Sequence, residues 1–543
     1  MRRLISILLC AAAVLAAQTV TVTVLATTDL HGNLVPVDYV TGQPAARGLA
    51  KIATSIRQAR AGNANTLLLD CGDTIQGTPL EDVYQSIVRT GADPAGHKPT
   101  STLAGDAGGD PMMRAMNLLA YDAMTLGNHE FNAGLPNLAR ARQDANFSWI
   151  SANTALDPAL PGRAADREFA RYIVKTVGGV KVAVIGITTP LIPMWERAEN
   201  LGAYRFTSPI DAVRGVVARL RSEERPDVIV VAAHSGLGRN LQTGAPEEPA
   251  ENVVYQLAEQ VPDLDAIVFG HSHAQLEGQL VGRVLLVQPK NWGASLARID
   301  FTLQPRPAGG WSVVAKKSVL IPVTAQTPAA PDLMAMAEPY EAAAERYLNT
   351  PVATSARELS AVRGREQDTA VVDLVQRVQL FYSKADVAFT ALFNPEVRIP
   401  QGQVTVRQIA ALYPYDNELL AIEGTGGMVK DALENAARFF SGNGVPGFNY
   451  DMAAGVEYAI DRTRPEGDRI RNLRWRGHPL ATDEKLRIAV NSYRAGGSGG
   501  YTMFRGAKVV WRSTEGIREL VIRYYTGRHS IPSQTSGNWK IVK

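Results

Sequence analysis

The chain has 543 residues, with 56 Lys+Arg against 53 Asp+Glu for a formal charge of +3. With 45% hydrophobic and 20% charged residues it has the composition of a globular protein, which excludes a disordered or collagen-like chain. Near-balanced charge without a basic stripe argues against binding to nucleic-acid polymers, and two cysteines, Cys10 and Cys71, are too few for a disulfide scaffold or a thiolate zinc site.

The first seventeen residues read as an export signal. Arg2 and Arg3 give a positive start, and Leu4–Ala17 is an apolar run too short for a comfortable membrane span. Small Ala16 and Ala17 then precede polar Gln18. A retained anchor is the alternative; Leu8 and Leu9 before Cys10 do not fit a lipidation site. After cleavage the protein is expected to be periplasmic or secreted, without a membrane anchor.

From Val20 to about Val323, β-rich runs alternate with helical stretches. The runs are Val20–Ala26, Leu67–Cys71, Val180–Thr188, Val228–Ala233, Ala266–Phe269 and Val284–Val287. Leu49–Arg60, Met112–Leu119 and Ile210–Arg221 read as helices, and the pattern predicts an α/β layered sheet. Ala92–Gly109, rich in Gly, Pro and small residues, reads as a surface loop. Pro331–Asn349, rich in Ala and Glu, is a predicted linker helix. Beyond it, helices are expected near Thr369–Tyr382 and Met428–Phe440, and strands near Val456–Ile460 and Leu486–Val490. The expected division is a signal at 1–17, a first domain at 18–328, a linker helix at 329–350 and a second domain at 351–543.

Five of the eight histidines fall in short polar segments of the first domain. The segments are Asp29-Leu30-His31-Gly32-Asn33, Gly72-Asp73, Gly127-Asn128-His129-Glu130, His234-Ser235-Gly236 and Gly270-His271-Ser272-His273. Each follows a β-rich run, so they are expected to converge beyond the carboxyl ends of the strands of one sheet. Imidazoles and carboxylates without thiolates suit a divalent transition-metal site, with Mn, Zn, Fe or Co all compatible. A pair of such ions activates a water and clamps a phosphoryl group. Taken singly the pieces are weak, since Gly-Asn-His-Glu is a common turn composition; their joint occurrence is what carries weight. Cys71 reads as a core thiol, and His97, His478 and His529 stand outside the pattern.

These segments resemble the calcineurin-like metallophosphoesterases, and the chain from about Val20 to Phe504 resembles the 5′-nucleotidase family. The branch it is most similar to is that of the 2′,3′-cyclic-nucleotide 2′-phosphodiesterase/3′-nucleotidases. Thr27-Thr28-Asp29-Leu30-His31, Gly72-Asp73-Thr74-Ile75-Gln76-Gly77, Gly127-Asn128-His129-Glu130-Phe131-Asn132 and Asn491-Ser492-Tyr493-Arg494-Ala495 carry the likeness. The resemblance implies an α/β fold: a four-layer metallophosphoesterase β-sandwich flanked by helices, then a linker helix and a C-terminal α/β nucleotide-binding domain. It implies two divalent ions, one on Asp29, His31, Asp73 and His273, the other on Asp73, Asn128, His234 and His271, with Asp73 bridging. His129 matches the family's catalytic histidine. The aspartate that pairs with it in 5′-nucleotidases is Asn132 here, which orients an imidazole without a charge of its own.

Tyr493, Tyr450, Tyr415 and Arg398 match or adjoin the family's substrate positions, and Gly496, Gly497 and Ser498 form an expected binding loop. That loop lacks the acid with which 5′-nucleotidases contact the ribose. The expected activity is hydrolysis of nucleotide phosphoesters, foremost 2′,3′-cyclic and 3′-nucleotides, by a monomer. A 5′-nucleotidase or nucleotide-sugar hydrolase is the neighbouring alternative. A non-catalytic nucleotide- or metal-binding envelope protein is the alternative of another class; it predicts missing ligands, and none is missing.

Overall fold

In chain order the strands of the N-terminal part are β1 (Val20–Thr27), β2 (Thr66–Asp70), β3 (Ala123–Thr125), β4 (Ser148–Ile150), β5 (Tyr172–Val177), β6 (Val180–Thr188), β7 (Val228–His234), β8 (Ala266–Phe269), β9 (Leu276–Val281), β10 (Val284–Gln288), β11 (Ser295–Pro305) and β12 (Trp311–Pro322). They form two six-stranded sheets, ordered β12-β11-β1-β2-β3-β4 and β9-β10-β8-β7-β6-β5. The runs β1-β2-β3-β4 and β10-β8-β7-β6 are parallel, and antiparallel partners close the edges. The structure is a computed structural model that describes residues 19–99, 103, 108–157, 159, 168–246, 251–415, 417–442 and 444–542. The export-signal reading of residues 1–17 lies outside the described residues.

The sheets stack face to face because their strands are apolar on both sides. Val22, Val24 and Ala26 of β1 meet Val182, Val184, Val230 and Val268 between the sheets, and Cys71 is buried among them. Burial pushes the Cys71 thiol well above its ordinary pKa. The alternate residues of β6 and β7, among them Ile185, Ile187, Ile229 and Val231, face outward onto helices at Pro209–Arg219 and Val254–Gln260. Leu25 and Leu68 face helices on the other side, at Leu49–Gly62, Pro79–Thr90 and Pro111–Leu118. Helix, sheet, sheet and helix make the expected four layers.

Ala123–Thr125 and the long hairpin β11/β12 are strands that the apolar runs did not mark. The first is only three residues long, and the hairpin alternates buried and exposed positions instead of forming a run. The predicted linker helix is present as Pro331–Leu348 and continues through Pro339. Leu333, Ala337, Tyr340 and Ala344 are buried in the same core as the helices of the first sheet. That packing outweighs the ~3 kcal/mol an internal proline costs. The helix is thus a packed part of the first half and not a free spacer.

The second half is built on a five-stranded sheet of β13 (Val387–Ala391), β14 (Glu418–Thr425), β15 (Asp451–Ala454), β16 (Lys485–Asn491) and β17 (Val509–Gly516), ordered β15-β13-β16-β14-β17. Helices at Ala370–Ser383 and Gly426–Ala437 cover it, and the strand Val456–Asp461 belongs to a separate four-stranded sheet. Among the described residues no helix is long and apolar enough to cross a membrane.

Candidate metal centre

The five polar segments leave the carboxyl ends of β1, β2, β3, β7 and β8, and the pairing registers set those ends level, Thr27 beside Asp70 and Ala233 beside Phe269. The loops then cross between the two sheets. The Asp29 amide donates to Gly72 O at 2.9 Å and the His31 amide to Asp73 O at 2.8 Å. From the other sheet, the His271 amide donates to Asp29 Oδ1 at 3.0 Å. Asp29, His31, Asp73, His271 and His273 all hold left-handed backbone, with φ of 48°, 46°, 57°, 71° and 52°. Such strain costs of order 1–3 kcal/mol per residue and persists only where the surroundings over-determine it. Two glycines allow the approach: a Cβ on Gly127 would lie 2.1 Å from Asp73 Oδ1, and one on Gly270 would lie 1.8 Å from Thr28 Oγ1.

The side chains gather in two groups, Asp29–His31–His273 and Asp73–His234–His271. Their hydrogen bonds fix which ring nitrogens face inward. His31 Nδ1 lies 3.0 Å from Gln76 O and His234 Nδ1 lies 2.7 Å from Cys71 O, so both Nδ1 atoms carry hydrogen and both Nε2 atoms face into the site. There His31 Nε2 meets His273 Nε2 at 3.0 Å, and His234 Nε2 meets Asp73 Oδ2 at 3.0 Å and Asn128 Oδ1 at 3.1 Å. His273 Nε2 is 3.5 Å from Asp29 Oδ1. Ring nitrogens and carboxylate oxygens gathered this closely are the donor set of a divalent-cation site, and the residues present fit a pair of divalent ions.

The protonation balance agrees. Burial lowers His31 to about 3 and His273 to about 4, leaving neutral imidazoles. Burial would lower His234 too, but the Asp73 carboxylate outweighs it and holds the ring at about 10. Burial would raise Asp73, yet His234, His129 and His31 hold it well below the usual carboxylate range. Without a metal the Asp73 charge thus holds a proton on His234, and metal binding would release it.

His129 sits at the rim with its amide donating to Asp73 Oδ1 at 2.8 Å and its ring 5.2 Å from that of His31. Asn132 Oδ1 is 2.5 Å from His129 Nδ1. Sequence reading missed four neighbours. Glu130, fully buried, accepts from the amides of Asp73 (2.9 Å), Thr74 (2.6 Å) and Gly127 (2.6 Å) and so locks two ligand loops together. Its position inside Gly-Asn-His-Glu was the available signal. Glu251 Oε1 is 3.7 Å from His271 Nε2. Trp195 stacks on His271 at 5.7 Å, and Glu196 stands behind Asn132; the segment that holds these two has no metal-ligand pattern to mark it.

Trp195 also joins this edge to the second half, where a Cβ on Gly496 would lie 3.3 Å from its Nε1. Arg197 pairs with Glu418 beside it. Tyr493, 40% exposed, precedes Arg494, whose buried guanidinium grips Asp451 through two bonds of 2.9 and 2.8 Å. Tyr415 is 44% exposed with its ring 5.0 Å from Phe393. Gly497 takes a left-handed φ of 90°, and Ser498 is buried. One expected substrate residue does not hold. Tyr450 is 1% exposed and stacks on Phe439 at 5.1 Å, so its ring is core; the neighbouring aromatic that is open is Phe448, 43% exposed, whose carbonyl accepts from Arg494 Nη2. Arg398 pairs with Glu358 at the surface, 3.1 Å apart.

Comparison with known proteins matches two stretches of the chain. Residues 22–275 match the calcineurin-like phosphoesterase family, and residues 348–506 match the 5′-nucleotidase C-terminal domain. The 2′,3′-cyclic-nucleotide 2′-phosphodiesterase/3′-nucleotidase of Salmonella typhimurium is 29% identical over 89% of this chain and 82% of its own. The trifunctional nucleotide phosphoesterase protein of Bacillus subtilis is 26% identical over 97% of this chain, which spans only 39% of that protein. A candidate 5′-nucleotidase of Staphylococcus aureus has a crystal structure that superposes with a TM-score of 0.79 at 26% identity, covering 96% of this chain and all of that one. With both family models matched in order on the fold described above, the chain belongs to the calcineurin-like metallophosphoesterases that carry a 5′-nucleotidase C-terminal domain, a family of phosphoester hydrolases.

Proposed function

We propose that the protein is an exported, monomeric enzyme that hydrolyses nucleotide phosphoesters, with 2′,3′-cyclic and 3′-nucleotides preferred. The observation that carries this reading is the cluster of inward-facing imidazoles and carboxylates around Asp73. Asp29, His31, Asp73 and His273 would hold one divalent cation, and Asp73, Asn128, His234 and His271 the other. Ions of the Mn, Zn, Fe or Co kind, when bound, polarise a phosphoryl oxygen and activate a water. His129, tied to Asp73 by its amide and to Asn132 by its ring, is placed to steady the phosphoryl group and its leaving oxygen. Tyr493 offers one face to the base and Phe448 the other, each stack contributing ~1–3 kcal/mol. In this reading residues 18–328 do the chemistry, 329–350 link, 351–543 recognise the nucleotide, and the Arg2–Ala17 pattern directs export.

Substrate choice follows from what a 2′,3′-cyclic phosphate lacks. Its ribose diol is esterified, so no carboxylate is needed to accept from it, and one there would repel the phosphate. Ser498 and Gly499 provide none, and the Salmonella relative is named for this activity. A 5′-nucleotidase reading is favoured by the likeness to the Staphylococcus structure. One side-by-side assay with 2′,3′-cyclic AMP, 3′-AMP, 5′-AMP and p-nitrophenyl phosphate decides. Higher kcat/KM on the first two is expected; preference for 5′-AMP selects the second reading.

A further inference from the structure

Asn132 is the direct partner of His129, yet a negative charge stands immediately behind it. Asn132 Oδ1 lies 2.5 Å from His129 Nδ1, and its Nδ2 lies 2.5 Å from Glu196 Oε2. Glu196 is 8% exposed, and its other oxygen accepts from the Arg197 amide at 2.7 Å and from Asn200 Nδ2 at 2.9 Å. Asn200 Nδ2 also reaches Asn132 O at 3.2 Å, so one short segment holds both the backbone and the side chain of Asn132. A carboxylate can only accept, so it compels the amide nitrogen of Asn132 to face Glu196 and the amide oxygen to face the ring. His129 Nδ1 must then carry hydrogen, which puts the lone pair of the neutral ring on Nε2.

We propose that Glu196 is a positioning residue that fixes the tautomer and orientation of His129 through the side chain of Asn132. The role of His129 rests on the phosphohydrolase reading above; the hydrogen-bond chain does not. A purely structural Glu196, capping its own segment through the Arg197 amide and Asn200, would leave the ring indifferent to its charge.

Glu196→Gln separates the two. Gln keeps the size but has one accepting oxygen for partners on two sides. With that oxygen held by the Arg197 amide and Asn200, its own amide nitrogen meets Asn132, which must turn over and present Nδ2 to His129. In zinc-loaded, histidine-¹⁵N-labelled protein, with His129→Gln used to identify the ring signals, His129 is expected as the Nδ1–H tautomer in the unsubstituted chain and as Nε2–H in Glu196→Gln. In turnover, Glu196→Gln should lower kcat ~10–100-fold, the usual span for an outer partner of a site residue, with KM within about twofold and metal content unchanged. In an Asn132→Asp background the carboxylate touches His129 directly and Glu196 becomes a like charge beside it, so the same Glu196→Gln change should raise kcat. That reversal of sign is beyond a structural role. Equal losses in both backgrounds, or an Nε2–H tautomer in the unsubstituted chain, overturn the proposal, the latter without needing any variant to fold. An Nδ1–H tautomer in a protein that releases no phosphate would support the hydrogen-bond chain and strike the functional reading instead.

Discussion

The metal edge and the aromatic loops of the second half meet through Trp195 and the Arg197–Glu418 pair, yet they are built by opposite means. At the metal edge Asp29, His31, Asp73 and His234 are all buried, several on strained backbone, and Glu130 ties their loops together with three amide bonds of 2.9 Å or less. On the other side Tyr493, Tyr415 and Phe448 stand open, and Arg494 beneath them is locked by Asp451. Groups that must hold charge in one geometry are pre-organised by packing. Groups that offer a flat face to a ring tolerate looser placement, because stacking is broad in its demands.

The largest effects should therefore arise at the metal edge, and they should split by role. Asp73→Ala removes the carboxylate proposed to serve both ions, so elemental analysis should find occupancy of both metals lost together with phosphate release. His129→Ala should keep its metals and lower kcat ~10²–10⁴-fold, the span of a positioned acid or base. Full metal occupancy in the first variant would end the bridging role of Asp73. Metal loss in the second would make His129 a ligand and erase the division of labour.

The same contrast explains what could be read from the sequence. Histidine and aspartate in glycine-rich segments at successive strand ends are uncommon enough that Asp29, His31, Asp73, His234, His271 and His273 could be picked out without coordinates, whereas Asn128 is implied by the family resemblance alone. The doubly buried strands announced themselves as apolar runs for the same reason. Tyrosine and phenylalanine, by contrast, serve core and surface alike. Within Phe448-Asn449-Tyr450 only burial tells which ring is open, and burial is set by the packing of Phe439 and of Trp539, the latter remote in sequence from that loop. Glu130 and Glu196 escaped because an acid that accepts from amides has no spacing rule; its partners are defined only once the loops meet.

A middle-sized effect tests the looser side. Tyr493→Ala should raise KM for nucleotides by the equivalent of ~1–3 kcal/mol of stacking, and Phe448→Ala should do likewise, with p-nitrophenyl phosphate nearly untouched in both. Tyr450→Ala should behave differently. It empties a buried aromatic site, for which ~3–5 kcal/mol of stability is the usual cost, and should lower the melting temperature while leaving KM for nucleotides unchanged in the cold. Nucleotide KM values that respond to Tyr450 and ignore Phe448 would reverse the assignment of the open ring.

The smallest effect concerns the helix Pro331–Leu348, which binds the two regions into one chain. Glu341 on this helix accepts from the Tyr39 hydroxyl in the first half. Burial pushes its carboxyl up to about 7, with the Tyr39 bond opposing and Glu345 adding to the rise. An acid whose folded pKa is raised holds a proton that the unfolded chain has already lost, so its contribution is full below the unfolded value near 4.5 and is gone above about 7. Stability should thus fall as pH rises through that window, by up to roughly 3 kcal/mol at 1.36 kcal/mol per unit. Glu341→Gln cannot ionise and keeps an acceptor for Tyr39. Its melting temperature should match the unsubstituted protein near pH 4.5 and exceed it near pH 8. Because the helix is packed on the first half, the gain should appear in the unfolding transition that releases the metals. A gain confined to a separate transition of the second half would return the helix to the role of a spacer and loosen the contrast between a rigid metal edge and its more open partner.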